Sequence, residues 1–185
     1  MSENADRTLV LLRHAKSAWP DVPDHERPLA RRGQRDAPVM GHWLRAAGYV
    51  PDLVLCSSAR RARETWALAQ AELGAAPQVR FSDGVYEAAP ADLIGLARET
   101  ASSVRVLLIV GHNPAMEELA LDLAGGGGAA AAETLDRMRA KFPTAAIAVL
   151  DVTGTWAGLS RGSTRLACFV TPREIAAGRP PPART

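Results

Sequence analysis

The chain has 185 residues, long enough for one substantial core and short for two, so a single domain is expected. Hydrophobic residues make up 47% and charged residues 23%, which separates it from disordered chains. A formal net charge of +2, with basic residues scattered rather than gathered into a run, argues against nucleic acid or an anionic membrane as a partner.

The start, Met-Ser-Glu-Asn-Ala-Asp-Arg, has no apolar signal core, and no later run approaches the roughly 20 apolar residues of a membrane span. A cytoplasmic location is therefore expected. Cys56 and Cys168 lie in apolar, strand-like runs and read as buried free thiols rather than a disulfide or a zinc site.

Taken in order, the first element is the apolar run Thr8 to Leu12, which ends abruptly in Arg13-His14. A continuous run without alternation predicts a strand buried on both faces, and ligands in open α/β sheets gather at the carboxyl ends of such strands. Trp19 to Pro28 reads as a loop, and Leu29 to Ala47 as a helix whose regular part starts near Asp36 because of Pro38. Leu53 to Ser58 is a second strand, Ala59 to Leu73 a helix, Val79 to Phe81 a weak third strand, and Pro90 to Ala101 a helix with proline in its first turn. Val104 to Val110 carries the strongest strand pattern and ends in Gly111-His112. Pro114 to Ala124 is helical, and Gly125 to Ala132, being only Gly and Ala, reads as a mobile surface loop. Ala145 to Val152 and Arg165 to Thr171 are the last strands. The domain is expected to occupy residues 1–177, followed by a disordered Pro-rich tail, 178–185.

Strands alternating with helices predict an α/β fold, a three-layer α/β/α sandwich around a mostly parallel sheet. Three strand ends would then meet at one edge. They carry Arg13-His14, Ser57-Ser58 followed by Arg60, Arg61 and Arg63, and Gly111-His112. One polar strand end is unremarkable, but two histidines and at least two arginines at one edge describe a pocket for a dianion beside a nucleophile. Guanidinium groups match phosphate oxygens bidentately, and neutral imidazole is a competent nucleophile near neutral pH.

Leu-Leu-Arg-His-Ala, then Ser-Ser-Ala-Arg-Arg-Ala-Arg-Glu-Thr, then Val-Gly-His-Asn-Pro, together resemble the histidine phosphatase superfamily, with its phosphoglycerate-mutase-like fold. The short length, Glu26 to Leu29 with Gly33, and Phe142 to Ala146 are similar to its SixA type of phosphohistidine phosphatase. The resemblance implies His14 as the nucleophile that becomes phosphorylated, Arg13 and Arg61 as phosphate clamps, and His112 as a further phosphate ligand. It also implies an acidic proton donor after the third strand, where Glu87 is the candidate. Two positions depart from the family: Ala15 stands where glycine is common after Arg-His, and Pro20 where an asparagine often follows the tryptophan. The chain has no room for the large helical insertion that covers the site in many relatives, which suits an open pocket and a phosphorylated protein side chain.

The remaining polar residues have plainer readings. Arg60 and Arg63 read as solvated or paired with acids, His25 and His42 as ordinary surface residues, and Lys16 as either a solvated charge or a contributor to potential at the mouth. Glu117 and Glu118 fit the positive end of a helix without a metal. The expected reaction is in-line phosphoryl transfer to His14 and hydrolysis by water, with no metal and no organic cofactor. The expected partner is a phosphorylated protein or a small phosphorylated substrate. A phosphomonoesterase for small metabolites or sugar phosphates, and more distantly a non-catalytic phosphate-binding module, remain as alternatives. The sequence leaves the oligomeric state open.

Overall fold

The computed structural model describes residues 7–125 and 129–178. Its strands are β1 (Arg7–Arg13), β2 (Leu53–Ser57), β3 (Gln78–Ser82), β4 (Val106–Gly111), β5 (Ile147–Val152) and β6 (Thr164–Val170), joined in one sheet in the order β3-β2-β4-β1-β5-β6. β1, β2, β3 and β4 run parallel, whereas β5 is antiparallel to β1 and β6 antiparallel to β5. The return from β5 to β6 through residues 153–163 holds only a short 3₁₀ turn, too little chain for the helical crossover that a parallel pair needs.

Alternation along the strands divides the core between two faces of the sheet. Val10, Leu12, Val54, Cys56, Leu108 and Val110 pack against α1 (Arg31–Ala46), α2 (Arg60–Ala71) and α7 (Pro172–Ala176). Leu9, Leu11, Leu53, Leu55, Leu107 and Ile109 face α3 (Asp83–Tyr86), α4 (Pro90–Arg98), α5 (Ala115–Leu123) and α6 (Ala129–Ala140). This is the expected α/β/α sandwich with a mostly parallel sheet, and among the described residues no large helical insertion rises over the strand ends. No helix among them is long and apolar enough to cross a membrane.

Several local expectations are corrected. α1 begins at Arg31, not near Asp36, and carries Pro38 inside it. Its first turns are held from outside: the Ala30 N–H donates to the Lys16 carbonyl at 2.8 Å, and a Cβ on Gly33 would lie 2.2 Å from that same oxygen, so only glycine permits this approach. Ala129 to Ala132, read as loop, form the first turn of α6, where alanine's helix propensity and burial of Met138 outweigh the low-complexity signal; residues 126–128 lie outside the described set. α3 and α7 were not expected. α7 did carry a signal, since Thr171-Pro172-Arg173-Glu174 forms a reciprocal capping box with proline at the first helical position. Cys56 is buried and Cys168 half-buried, and neither is in a disulfide among the described residues. The tail expected from 178 falls, beyond Gly178, outside the described residues.

α1 and α2 are packed backbone to backbone at Gly41, where a Cβ would lie 2.0 Å from the Ala69 carbonyl oxygen. Gly41→Ala is therefore expected to destabilise the fold by about 1–3 kcal/mol through overpacking, although alanine is the better helix former. A urea midpoint that stays level or rises would show that the two helices separate without loss.

Candidate active site

Register brings the three strand ends together. Arg13 is paired with Gly111 across β1 and β4, and Cys56 with Val110 across β2 and β4, so His14, Ser57 and His112 emerge side by side. Backbone bonds hold them there: the His14 N–H donates to the Gly111 carbonyl at 2.9 Å, and the Ala145 N–H approaches the carbonyls of Arg13 and His14, both at 3.1 Å. The imidazoles of His14 and His112 lie with ring centroids 5.0 Å apart. Ala15 is fully buried, and its N–H donates to the Thr65 hydroxyl, which in turn donates to the Arg61 carbonyl. The turn after His14 is thereby tied to the first turn of α2.

His14 is 7% exposed. Its Nδ1 sits 2.7 Å from the Ala15 carbonyl oxygen, which can only accept, so Nδ1 carries the proton and Nε2 keeps its lone pair. Burial, opposed by that hydrogen bond and reinforced by His112, Arg61 and Arg13, lowers the pKa of His14 to about 3. Burial, with Arg61 next in weight, lowers that of His112 to about 4. Both rings are neutral at neutral pH. His112 Nε2 is 2.7 Å from the Ser57 hydroxyl, and its Nδ1 is buried with no hydrogen-bond partner among the described residues.

The two arginines are oriented differently. Arg13 donates through Nη1 to the Phe142 carbonyl at 2.6 Å, while its buried Nε has no partner among the described residues. Arg61, 6% exposed at the start of α2, donates through Nη1 to the Asp24 carbonyl at 2.7 Å and through Nη2 to the Asp24 carboxylate at 2.9 Å. That carboxylate also accepts from the Tyr86 hydroxyl and from Arg27, each at 2.8 Å. Tyr86 first, then Arg27 and Arg61, hold Asp24 well below the usual carboxylate range. Glu87 is exposed at the end of α3 and lines, with His112, Tyr86 and Asn113, a cavity of about 320 Å³. Its carboxylate makes no hydrogen bond or ion pair among the described residues.

Neutral imidazoles, two guanidinium groups and the starts of α2 and α5 thus face one edge of the sheet, an arrangement suited to a tetrahedral anion. A family profile described as the histidine phosphatase superfamily, branch 1, matches residues 9–149. The chain belongs to that superfamily. An uncharacterised protein of Mycobacterium tuberculosis is 45% identical over 163 residues, spanning 88% of this chain and 100% of its own length. A structure from Nakamurella multipartitia designated phosphohistidine phosphatase SixA superposes with a TM-score of 0.78 at 32% identity, covering 90% of this chain and 96% of that one. A second so designated, from Agrobacterium tumefaciens, gives 0.70 at 29% identity, covering 89% and 97%. This histidine phosphatase is accordingly a hydrolase with SixA-like architecture.

Sequence reasoning brought the right strand ends to one edge but missed Asp24 and Tyr86, which come from a loop and from α3 and meet only through Arg61. His25, read as an ordinary loop residue, stacks edge-on against Tyr86 and bonds Ser58 at 2.9 Å, so it stands on the rim of this site. Arg60 pairs with Glu64 and His42 is exposed on α1, as their plainer readings expected; Glu117, in the first turn of α5, accepts from Asn113.

Burying neutral His14 has a measurable cost in acid. Its pKa is about 3 in the folded state against an ordinary 6.5, so below 6.5 the unfolded chain takes up a proton that the folded chain refuses. Stability is thus complete above pH 6.5 and falls as the pH drops toward the folded value. Between pH 7 and 5 His14 should account for about 2 kcal/mol of that fall. In phosphate-free buffer His14→Gln is expected to flatten the pH dependence of the unfolding free energy from urea titration by this amount; identical slopes would mean that His14 is charged or solvated in the fold.

Proposed function

We propose that this histidine phosphatase removes phosphate from phosphohistidine carried on a protein, with His14 as the nucleophile. The observation that carries the reading is the unprotonated Nε2 of His14, fixed by the Nδ1 bond to Ala15 and set beside Arg13, Arg61 and His112. The Nε2 lone pair attacks phosphorus in line as the bond from phosphorus to the departing imidazole nitrogen breaks, and that nitrogen takes up a proton. Arg13, Arg61 and His112 hold the equatorial oxygens while charge redistributes among them. Water then attacks the phosphorylated His14, releasing inorganic phosphate and restoring the ring. Asp24 occupies two of the five N–H donors of Arg61, which sets the plane of the guanidinium and leaves the others for oxygens of the substrate.

Two features favour a protein substrate over a small ester. The strand ends are uncovered by any helical insertion among the described residues, which admits a bulky partner. The designation of the Nakamurella and Agrobacterium proteins as phosphohistidine phosphatases supports the same substrate class. Cleavage of a phosphomonoester is the second reading, and the carboxylate of Glu87, without a partner among the described residues and on the cavity it shares with His112, is what favours it.

The leaving group separates the two. Imidazole departs with a conjugate acid of pKa about 6.5, whereas an alkoxide approaches the basicity of hydroxide, whose parent water has a pKa of about 15.7, and needs protonation as the bond breaks. Assayed side by side, a phosphohistidine-carrying protein should be turned over faster than alkyl phosphates. Glu87→Gln should slow alkyl phosphates by about 10²–10⁴-fold and phosphohistidine by less than roughly tenfold. Equal large losses on both substrates would refute the leaving-group argument. Preference for a small ester over the phosphoprotein would replace the proposed substrate.

A further inference from the structure

A cavity of about 540 Å³ opens where the start of α1, the end of α6 and the start of α7 meet; Lys141 and Pro143 on its wall flank Phe142, whose carbonyl holds Arg13, but no residue of the His14 pocket lines it. Its volume lies within the range of ordinary small-molecule sites. Arg32, Arg137, Lys141 and Arg173 line it, with the hydroxyl residues Thr144 and Thr171 between them. Its one acidic lining residue, Glu174, is already engaged: it pairs with Arg137 and accepts from both the backbone N–H and the hydroxyl of Thr171, each at 2.9 Å. Arg32 has an ion pair with Asp36 at 3.2 Å, but its side chain is 62% exposed, and such a pair neutralises little. Lys141 and Arg173 have no carboxylate within 4.0 Å among the described residues. Basic side chains therefore outnumber acidic ones around the concavity.

A second observation points the same way. α1 starts with Arg31 and Arg32, has no acidic residue in its first turn and no side-chain cap, so cations stand at the positive end of a 16-residue helix. That placement opposes the macrodipole, so it is unfavourable unless an anion stands at the helix start. The chain repeats it at the start of α2, where Arg60 and Arg61 follow the uncapped Ala59, with no acid in the first turn. There Arg61 reaches Asp24 at the His14 site.

We infer that the α1/α6/α7 cavity is a second anion site, distinct from the His14 pocket, that takes a small di- or triphosphate through Arg32, Lys141 and Arg173. Three incompletely neutralised cations call for a ligand of two or three negative charges, and Thr144 and Thr171 add hydroxyl donors for its oxygens. The inference does not rest on the proposed reaction.

Methylenediphosphonate, which cannot be hydrolysed, is the probe, titrated calorimetrically into the full chain. The wild type should bind two equivalents. Lys141→Ala/Arg173→Ala, both exposed positions, should lose one of them by at least about tenfold in Kd while hydrolysis of a small phosphoester stays within twofold. Arg61→Ala should lose the other. A single wild-type equivalent that vanishes in Arg61→Ala, or two that survive the double substitution, would overturn the second site. Loss only in the double variant, with Arg61→Ala unaffected, would keep the second site and count instead against the proposed phosphate pocket.

Discussion

Keeping His14 buried and uncharged is the constraint on which the site depends. An imidazole among two arginines and a second histidine has its charged form opposed by burial and by each of these neighbours. The hydrogen bond from Nδ1 to Ala15 then decides which nitrogen is left with a lone pair. Because Ala15 is itself fully buried and tied to Thr65, and Thr65 to the Arg61 backbone, the His14 tautomer and the position of Arg61 are set by a single run of contacts. The parallel pairing of β1 with β4 and β2 with β4 supplies the rest, since it delivers His14, Ser57 and His112 at one level.

The arginines show how differently one charge can be held. Arg13 leans on a backbone carbonyl, that of Phe142, which also accepts from Asn113 at 3.3 Å beside His112. Arg61 is held by a carboxylate, Asp24, that it shares with Arg27 and Tyr86. Asp24 belongs to the loop between β1 and α1, so the position of that loop and the orientation of Arg61 are coupled. The loop is pinned at its base by the bridge between Ser17 and Leu29 and by Arg27, which donates to the Ser17 hydroxyl at 2.6 Å.

What could be read in the residues was whatever depends on short-range pattern. Uninterrupted apolar runs mark β1, β2 and β4, and each ends in the polar residues that form the site. Asp24, Tyr86 and His25 escaped because their importance lies in contacts across 33 to 62 residues of chain, for which a loop composition carries no signal. The start of α1 was misplaced because Pro38 weighs against a helix locally, while the bond from Ala30 to Lys16 that anchors the helix, with Gly33 permitting the approach, is tertiary. The Gly/Ala segment was read by its composition, although alanine alone favours the helix that begins at Ala129. β6 runs against β5 for a reason of chain length, since the return through 153–163 is too short for a crossover, and this is visible only once the two are known to pair.

The most direct measurement of the central claim is to quench the reaction rapidly with labelled substrate and locate the phosphoryl group on the protein. The account predicts one acid-labile, base-stable label on the peptide holding His14, bonded to Nε2 because Nδ1 is occupied by Ala15. Label on Nδ1, label that persists in His14→Ala, or full turnover by His14→Ala would contradict it.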